Sequence, residues 1–244
     1  MILKNLITRI ADRLGYALIP KWRLGKYFFV QRLRRVIAEY RIDCIVDVGA
    51  NVGQYRKFLR DQVGYEGLII SFEPDPSNIT ALREAQRMDD KWVIQDCALG
   101  KETSMLVLNI MESSVFNSFL EPDDSETEQF QGENRVVERV EVQVKRLDQM
   151  MQGLKDEYGF KNVFLKLDTQ GFDLDVFEGC SGCLDSIRGV QTEVSVMSIY
   201  QNMPTFGDSL ALFKANGFEV SGLYPISELR FPHAVEFDCI YLPR

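Results

Sequence analysis

The stretch that most constrains this 244-residue chain is Cys44-Ile-Val-Asp-Val-Gly-Ala-Asn-Val-Gly53, an apolar run of strand length that ends in a glycine turn. A short, continuously apolar run reads as a strand buried on both faces, the setting of a parallel sheet covered by helices. Residues 53–63 follow with helical spacing through Tyr55, Phe58, Leu59 and Val63. Leu68–Phe72 is the next strand, Pro74 and Pro76 close it before a helix over 77–87, and Trp92-Val-Ile94 is a third strand. Strand and helix alternating through tight loops predict an α/β fold, a Rossmann-like doubly wound, mostly parallel sheet.

The rhythm then changes. Met105–Leu108 and Val136–Val144 read as strands with no helix between them, and the second alternates Val136, Glu138, Val140, Val142 and Val144. Alternation predicts an antiparallel pair with one solvated face, an inserted β-hairpin. Residues 121–133 are acidic and poor in apolar side chains, which fits a mobile loop, either a lid or a solvated connection. The sheet resumes at Val163–Asp168, with a helix over 172–185, a strand at 189–194, a helix at 208–215 and strands at 218–224 and 237–242.

A glycine turn after a strand lets a ligand approach the backbone, and the following helix N-terminus presents unpaired N–H groups. Its details exclude two cofactor classes. Dinucleotide binders use G-x-G-x-x-G, whereas here Gly49 and Gly53 enclose Ala-Asn-Val. A P-loop needs Gly-Lys-Ser/Thr, and Gln54 stands where the lysine belongs. Three strand-end carboxylates remain. Glu73 is placed to accept two ribose hydroxyls, Asp47 to face a ligand ammonium, and Asp96, beside Cys97, to accept from an adenine amine. Each alone reads equally well as a helix cap; three at successive strand ends are harder to dismiss.

Val46–Tyr55, Phe72-Glu-Pro-Asp75, Ala98-Leu-Gly100 and Leu165-Lys-Leu-Asp-Thr-Gln-Gly171 together resemble the FkbM-type family of S-adenosylmethionine-dependent methyltransferases. The likeness runs from about residue 42 to 243, through Val144–Asp148 to Phe237–Tyr241. It divides the chain into an N-terminal helical extension, 1–41, and a methyltransferase domain, 42–244. It implies S-adenosylmethionine as cofactor, contacted by Asp47, Gly49, Asn51, Gly53, Glu73 and Asp96, with Ala50, Tyr55, Pro74 and Cys97 in the same segments. It also implies methylation of hydroxyl groups on sugars, polyketides or related natural products.

Methyl transfer to a hydroxyl gains from a base within hydrogen-bond reach. Asp168 ends the fourth parallel strand on the cofactor edge and is the first candidate, against a helix cap for the segment near Phe172. Gln170 stands where the family often has glutamate, and an amide cannot take a proton. Glu193 complements Asp168; His233 is a further base if its loop folds over the site. Asp168 and Glu193 offer oxygens of the kind Mg2+ takes, yet two carboxylates are a thin basis, and no metal ligand is assigned. Tyr200 and Asn117, with Gln170, are placed by topology to line an acceptor pocket.

Composition bounds the partners. Residues 1–41 hold ten Lys/Arg against two acids, a net +8, while the rest of the chain carries −16. A body this acidic disfavours nucleic acid, so a small-molecule or glycan substrate is expected. No transmembrane run and no secretory signal occur, which predicts a cytoplasmic enzyme. Residues 2–19 read as an amphipathic helix, with Ile2, Leu3, Leu6, Ile7, Ile10 and Leu14 on one face. Packing against the body, or against a second subunit in a homodimer, is preferred over a membrane surface. Cys180 and Cys183 form a C-x-x-C, but without a second such pair they read as structural thiols. Two other functions fit the fold: a nicotinamide-linked dehydrogenase, weakened by the glycine spacing, and a cofactor-binding scaffold without turnover, which Gln170 keeps open.

Overall fold

The computed structural model describes residues 9–11, 13–16, 18–20, 24–123, 132–196, 198–226 and 236–244. Most of the predicted 2–19 helix, most of the acidic loop 121–133, and His233 lie outside them. Within that helix, residues 9–11 and 13 are helical. Ile10 and Leu14, from its apolar face, are 51% and 68% exposed, so the described part of the chain does not cover that face.

The first long helix, α1, is Tyr27–Glu39, and it buries Phe29, Val30, Leu33 and Val36. Strand β1, Cys44–Val48, has every residue buried, Asp47 included, as a strand covered on both faces requires. It leads through the glycine turn into α2, Gln54–Phe58, which continues as one π-turn, Leu59–Val63, stopped by Gly64 at φ +77°. Strand β2, Leu68–Phe72, is followed by α3, Pro76–Gln86. Asp75 caps α3 by accepting from the Ser77 N–H at 2.8 Å, and Pro76 occupies the first turn, where its missing donor costs nothing.

Strand β3, Trp92–Gln95, completes the first half. Ala98–Leu99 forms a short β4, and β5, Ser104–Met111, pairs antiparallel with β6, Val136–Lys145. These three make a separate sheet ordered β4-β6-β5, so the hairpin is present and gains a strand that the two-residue run concealed. Helix α4, Leu147–Tyr158, was not expected. Its buried Leu147, Met151 and Leu154 keep helical spacing, but the stripe is narrow and follows a strand without a break.

Strand β7, Val163–Leu167, returns to the main sheet, followed by α5, Asp173–Glu178, shorter than the predicted 172–185. Then come β8, Ile187–Ser195, α6, Phe206–Ala215, with a Thr205–Asp208 capping box, β9, Phe218–Pro225, and β10, Glu236–Pro243. The main sheet runs β3-β2-β1-β7-β8-β10-β9, parallel through β8 and antiparallel at β10 and β9. This is a Rossmann-like doubly wound sheet. The chain winds outward from β1 through β3, then crosses back to lay β7 against the other side of β1. Ligands bind in the crevice at such a reversal, beyond the strands' carboxyl ends.

Two apolar cores cover the faces of the sheet, one built from residues such as Leu147, Phe177 and Phe213, the other around Leu33, Leu59 and Trp92. A third cluster, Met111, Ile199 and Tyr200, joins the small sheet to the loop after β8. Arg56 and Arg60 both bind Asp89, at 2.5 and 2.9 Å, which holds α2 and its π-turn against the entry to β3. Among the described residues no helix is long and apolar enough to cross a membrane.

Candidate active site

A cavity of about 430 Å3 opens where β1 and β7 part, within the range of small-molecule sites. One end is the glycine turn. Gly49 has φ +79°, and a Cβ there would stand 2.0 Å from the Asp168 carbonyl oxygen, so the β1 and β7 termini meet only because the side chain is missing. Asn51 also adopts positive φ, +48°, and turns its N–H onto Glu73 Oε2 at 2.7 Å. Glu73 Oε1 accepts from the Asp75 N–H at 3.0 Å and from Asn78 Nδ2 at 3.3 Å. Burial pushes Glu73 up to about 7, although these three bonds pull it down.

The other end is acidic. Asp168, Glu193, Glu236 and Asp238 line it, with Gln170, Gln191 and Lys26. Gln170, held at φ +52°, donates from Nε2 to Asp168 Oδ1 and to Glu193 Oε2, both at 3.1 Å. Its own Oε1 accepts from the Tyr200 hydroxyl at 3.0 Å, and its carbonyl accepts from Ser118 Oγ at 2.6 Å. The amide in this sequence is therefore a clamp between two carboxylates. Burial works against ionisation of Asp168, but Lys166, 3.2 Å from its Oδ2, together with Gln170, holds it below the usual carboxylate range. Burial and the charge of Asp168 push Glu193 well above that range. The surroundings thus drive the two carboxyls apart, Asp168 toward its ionised form and Glu193 toward its protonated form, the division of labour an acid–base site requires.

Asp168 does not cap α5. The helix follows Phe172 with no side-chain cap, and Asp173, its first residue, accepts instead from the Thr169 N–H at 2.7 Å and the Thr192 hydroxyl at 2.6 Å and so fixes the turn that carries Gln170.

The predicted residues divide by position. Gly49, Ala50, Asn51, Tyr55, Glu73, Pro74, Asn117, Asp168, Gln170 and Glu193 line the one cavity. Tyr55 donates to Gln191 Oε1 at 2.7 Å; Asn117 Nδ2 donates to Asp75 Oδ2 at 2.9 Å. Five others lie off the wall. Asp47 is fully buried behind it, accepting from Ser71 Oγ at 2.9 Å and facing Lys166 at 3.2 Å. Gly53 packs on Trp92, which a Cβ would approach to 2.7 Å. The Asp96 side chain is 70% exposed and faces Arg83 at 3.8 Å. Cys97 is buried, which pushes its thiol up to about 11. Tyr200 is buried beneath Gln170. Among the described residues no group of three acidic, histidine or cysteine side chains is arranged to hold a metal ion.

Sequence reasoning missed Lys166, Gln191, Glu236 and Asp238. The signal for Lys166 and Asp238 was present: a charged residue inside a strand otherwise fully apolar needs a partner.

A family model described as methyltransferase FkbM domain matches residues 47–220. Among solved structures, a methyltransferase FkbM from Methylobacillus flagellatus KT is 16% identical, with a TM-score of 0.48, over 82% of this chain and 43% of its own. Magnesium protoporphyrin IX methyltransferase from Synechocystis PCC 6803, solved with bound SAM, is 10% identical over 97% of this chain and 90% of its own, with a TM-score of 0.46. A fibrillarin pre-rRNA processing protein from Methanococcus jannaschii is 11% identical over 84% and 68%, with a TM-score of 0.45. This chain thus spans under half the length of the Methylobacillus protein. No curated protein shows significant similarity to it. The sheet order, rather than these distant likenesses, defines the architecture.

Proposed function

The chain belongs to the FkbM methyltransferase family, and from that premise we propose that it moves a methyl group from S-adenosylmethionine to a hydroxyl oxygen of a small molecule or glycan, of the sugar or polyketide kind. S-Adenosylmethionine, when bound, supplies an electrophilic methyl group on a sulfonium sulfur. The residues at the glycine turn suit it. Glu73 is a buried carboxylate at the cavity edge, pushed up to about 7, and further hydroxyl donors would offset the burial that disfavours its charge. Gly49 and Asn51 present backbone in conformations that leave the approach open.

The observation that carries the acceptor side is the Asp168–Gln170–Glu193 clamp in the same cavity. Asp168, ionised, accepts the hydrogen bond of the acceptor hydroxyl and then its proton. A low pKa suffices, because a hydroxyl becomes strongly acidic as its oxygen forms a third bond. Glu193, protonated, donates to a neighbouring acceptor oxygen and orients it. Positioning of this kind supplies about 7–11 kcal/mol of a barrier when the reacting atoms are held close.

Calorimetry with S-adenosylmethionine, followed by transfer of labelled methyl to a panel of sugars and hydroxylated metabolites, tests this reading. We expect micromolar binding of the donor and label on oxygen. A protein that ignores S-adenosylmethionine but binds NAD would refute it.

A further inference from the structure

Lys166 carries a charge inside the sheet that the reaction as described leaves without a task. It is the penultimate residue of β7, 5% exposed, beside Asp47 of β1 in the strand register. Its ammonium stands 3.2 Å from Asp47 Oδ1, 3.2 Å from Asp168 Oδ2, and donates to the Gly49 carbonyl at 3.3 Å. The Tyr55 ring covers its remaining side at 5.1 Å. Asp47 Oδ1 has no hydrogen-bond partner among the described residues, so the ammonium is what answers its charge.

We propose that Lys166 is a positioning residue that ties the two halves of the site together, fixing the glycine turn through Asp47 and the Gly49 carbonyl while holding the Asp168 carboxylate ionised and in place. This rests on the methyl-transfer reading for the meaning of the two halves. The contacts that carry it do not depend on that reading.

Chemistry argues for this role over a direct one. Three oxygens and the Tyr55 ring surround the ammonium, the Gly49 carbonyl as hydrogen-bond acceptor and the two carboxylates as ion-pair partners, so its charge is already answered within the protein. Burial alone would lower Lys166, yet the two carboxylates outweigh it and hold the charge above the usual lysine range, which rules out a neutral amine acting as base. Around Asp168 the other charged or titratable groups are Asp47 from β1, Glu193 from β8, Glu236 and Asp238 from β10, Asp173 from α5, and the Tyr55 and Tyr200 hydroxyls. All of these are acidic groups. Lys26 reaches the far side, beside Asp238. Lys166 is therefore the cation in contact with Asp168, and its removal leaves a half-buried carboxylate among other acids.

The test follows the carboxyl carbon of 13C-labelled aspartate by NMR across pH, with Asp168 assigned through Asp168→Asn, in the full chain without ligand. S-Adenosylmethionine affinity is measured in parallel by calorimetry. In Lys166→Met we expect the Asp168 titration to move up by at least about one pH unit and donor affinity to fall about tenfold; Lys166→Arg, which keeps the charge, should restore most of the titration. If Lys166→Met does not fold, the Asp47→Asn/Lys166→Met pair, which removes both buried charges, is expected to fold and to show the same upward movement. An Asp168 titration that stays in place in either variant overturns the proposal, as does donor affinity unchanged in Lys166→Met. If the unaltered protein ignores S-adenosylmethionine, the methyl-transfer reading fails, and the NMR titration alone still decides the role of Lys166.

Discussion

Glu73 gives the most quantitative handle on this site. It is 4% exposed, accepts from two backbone N–H groups and one side-chain amide, and burial still raises it from its usual 4.5 to about 7. A group whose pKa rises on folding binds its proton more tightly in the folded state. Its contribution is complete below about 4.5 and is lost as pH climbs through 7. A rise from 4.5 to about 7 corresponds to roughly 3 kcal/mol, taken as an order of magnitude. Glu73→Gln removes the titration but keeps one accepting oxygen for two backbone donors, so it leaves a donor unsatisfied at a cost of about 1–2 kcal/mol. The two effects have opposite sign. The variant should be less stable than the unaltered protein by about 1–2 kcal/mol at pH 4.5 and more stable by a similar amount at pH 8. Urea unfolding of the ligand-free protein at several pH values, read as the difference between the two proteins, isolates Glu73 from the other acids that titrate. A difference that keeps one sign and size across this range would refute the reasoning. The same substitution should weaken S-adenosylmethionine binding by about 1–3 kcal/mol, since a charged acceptor is lost.

Three further outcomes are expected. Asp168→Asn should abolish label transfer to a hydroxyl acceptor while donor affinity measured by calorimetry stays within a few-fold, because the Asp168 carboxylate serves the acceptor end. Gly49→Ala forces a Cβ to 2.0 Å from the Asp168 carbonyl oxygen in a left-handed backbone; denaturant unfolding should show a loss of about 2–5 kcal/mol, or no folded protein at all. Asp89→Ala strips Arg56 and Arg60 of their common partner, with side chains only 22% and 16% exposed, and should cost about 1–3 kcal/mol in the same assay.

Much of this was legible in the sequence because the signals were local. Cys44–Val48 and Val163–Leu167 are apolar runs interrupted by one charged residue each, Asp47 and Lys166, and both are fully buried central strands. Val136–Val144 alternates, and it is a half-solvated strand paired antiparallel with its hairpin partner. Helix α4 escaped because its three buried residues in twelve make a weak stripe next to a strong strand pattern. Asp96 ends a strand as Glu73 does, but it lies near the outer edge of the sheet, where its side chain turns to Arg83 and solvent.

By itself the sequence determined the parallel sheet, the glycine turn behind its first strand and the carboxylate at the end of the second. Each depends on residues within a few positions of one another, where backbone preference and hydrophobic period act directly. Tertiary structure alone decided what the charged residues do. Lys166 and Asp47 are 119 positions apart in sequence and adjacent in register, and only their pairing makes either tolerable in the core. Gln170 is an unremarkable amide until β8 brings Glu193 to within 3.1 Å of it. The reason is physical: the energy of a charge or an amide inside a protein is set by the groups that surround it in space, and the chain order of those groups is arbitrary.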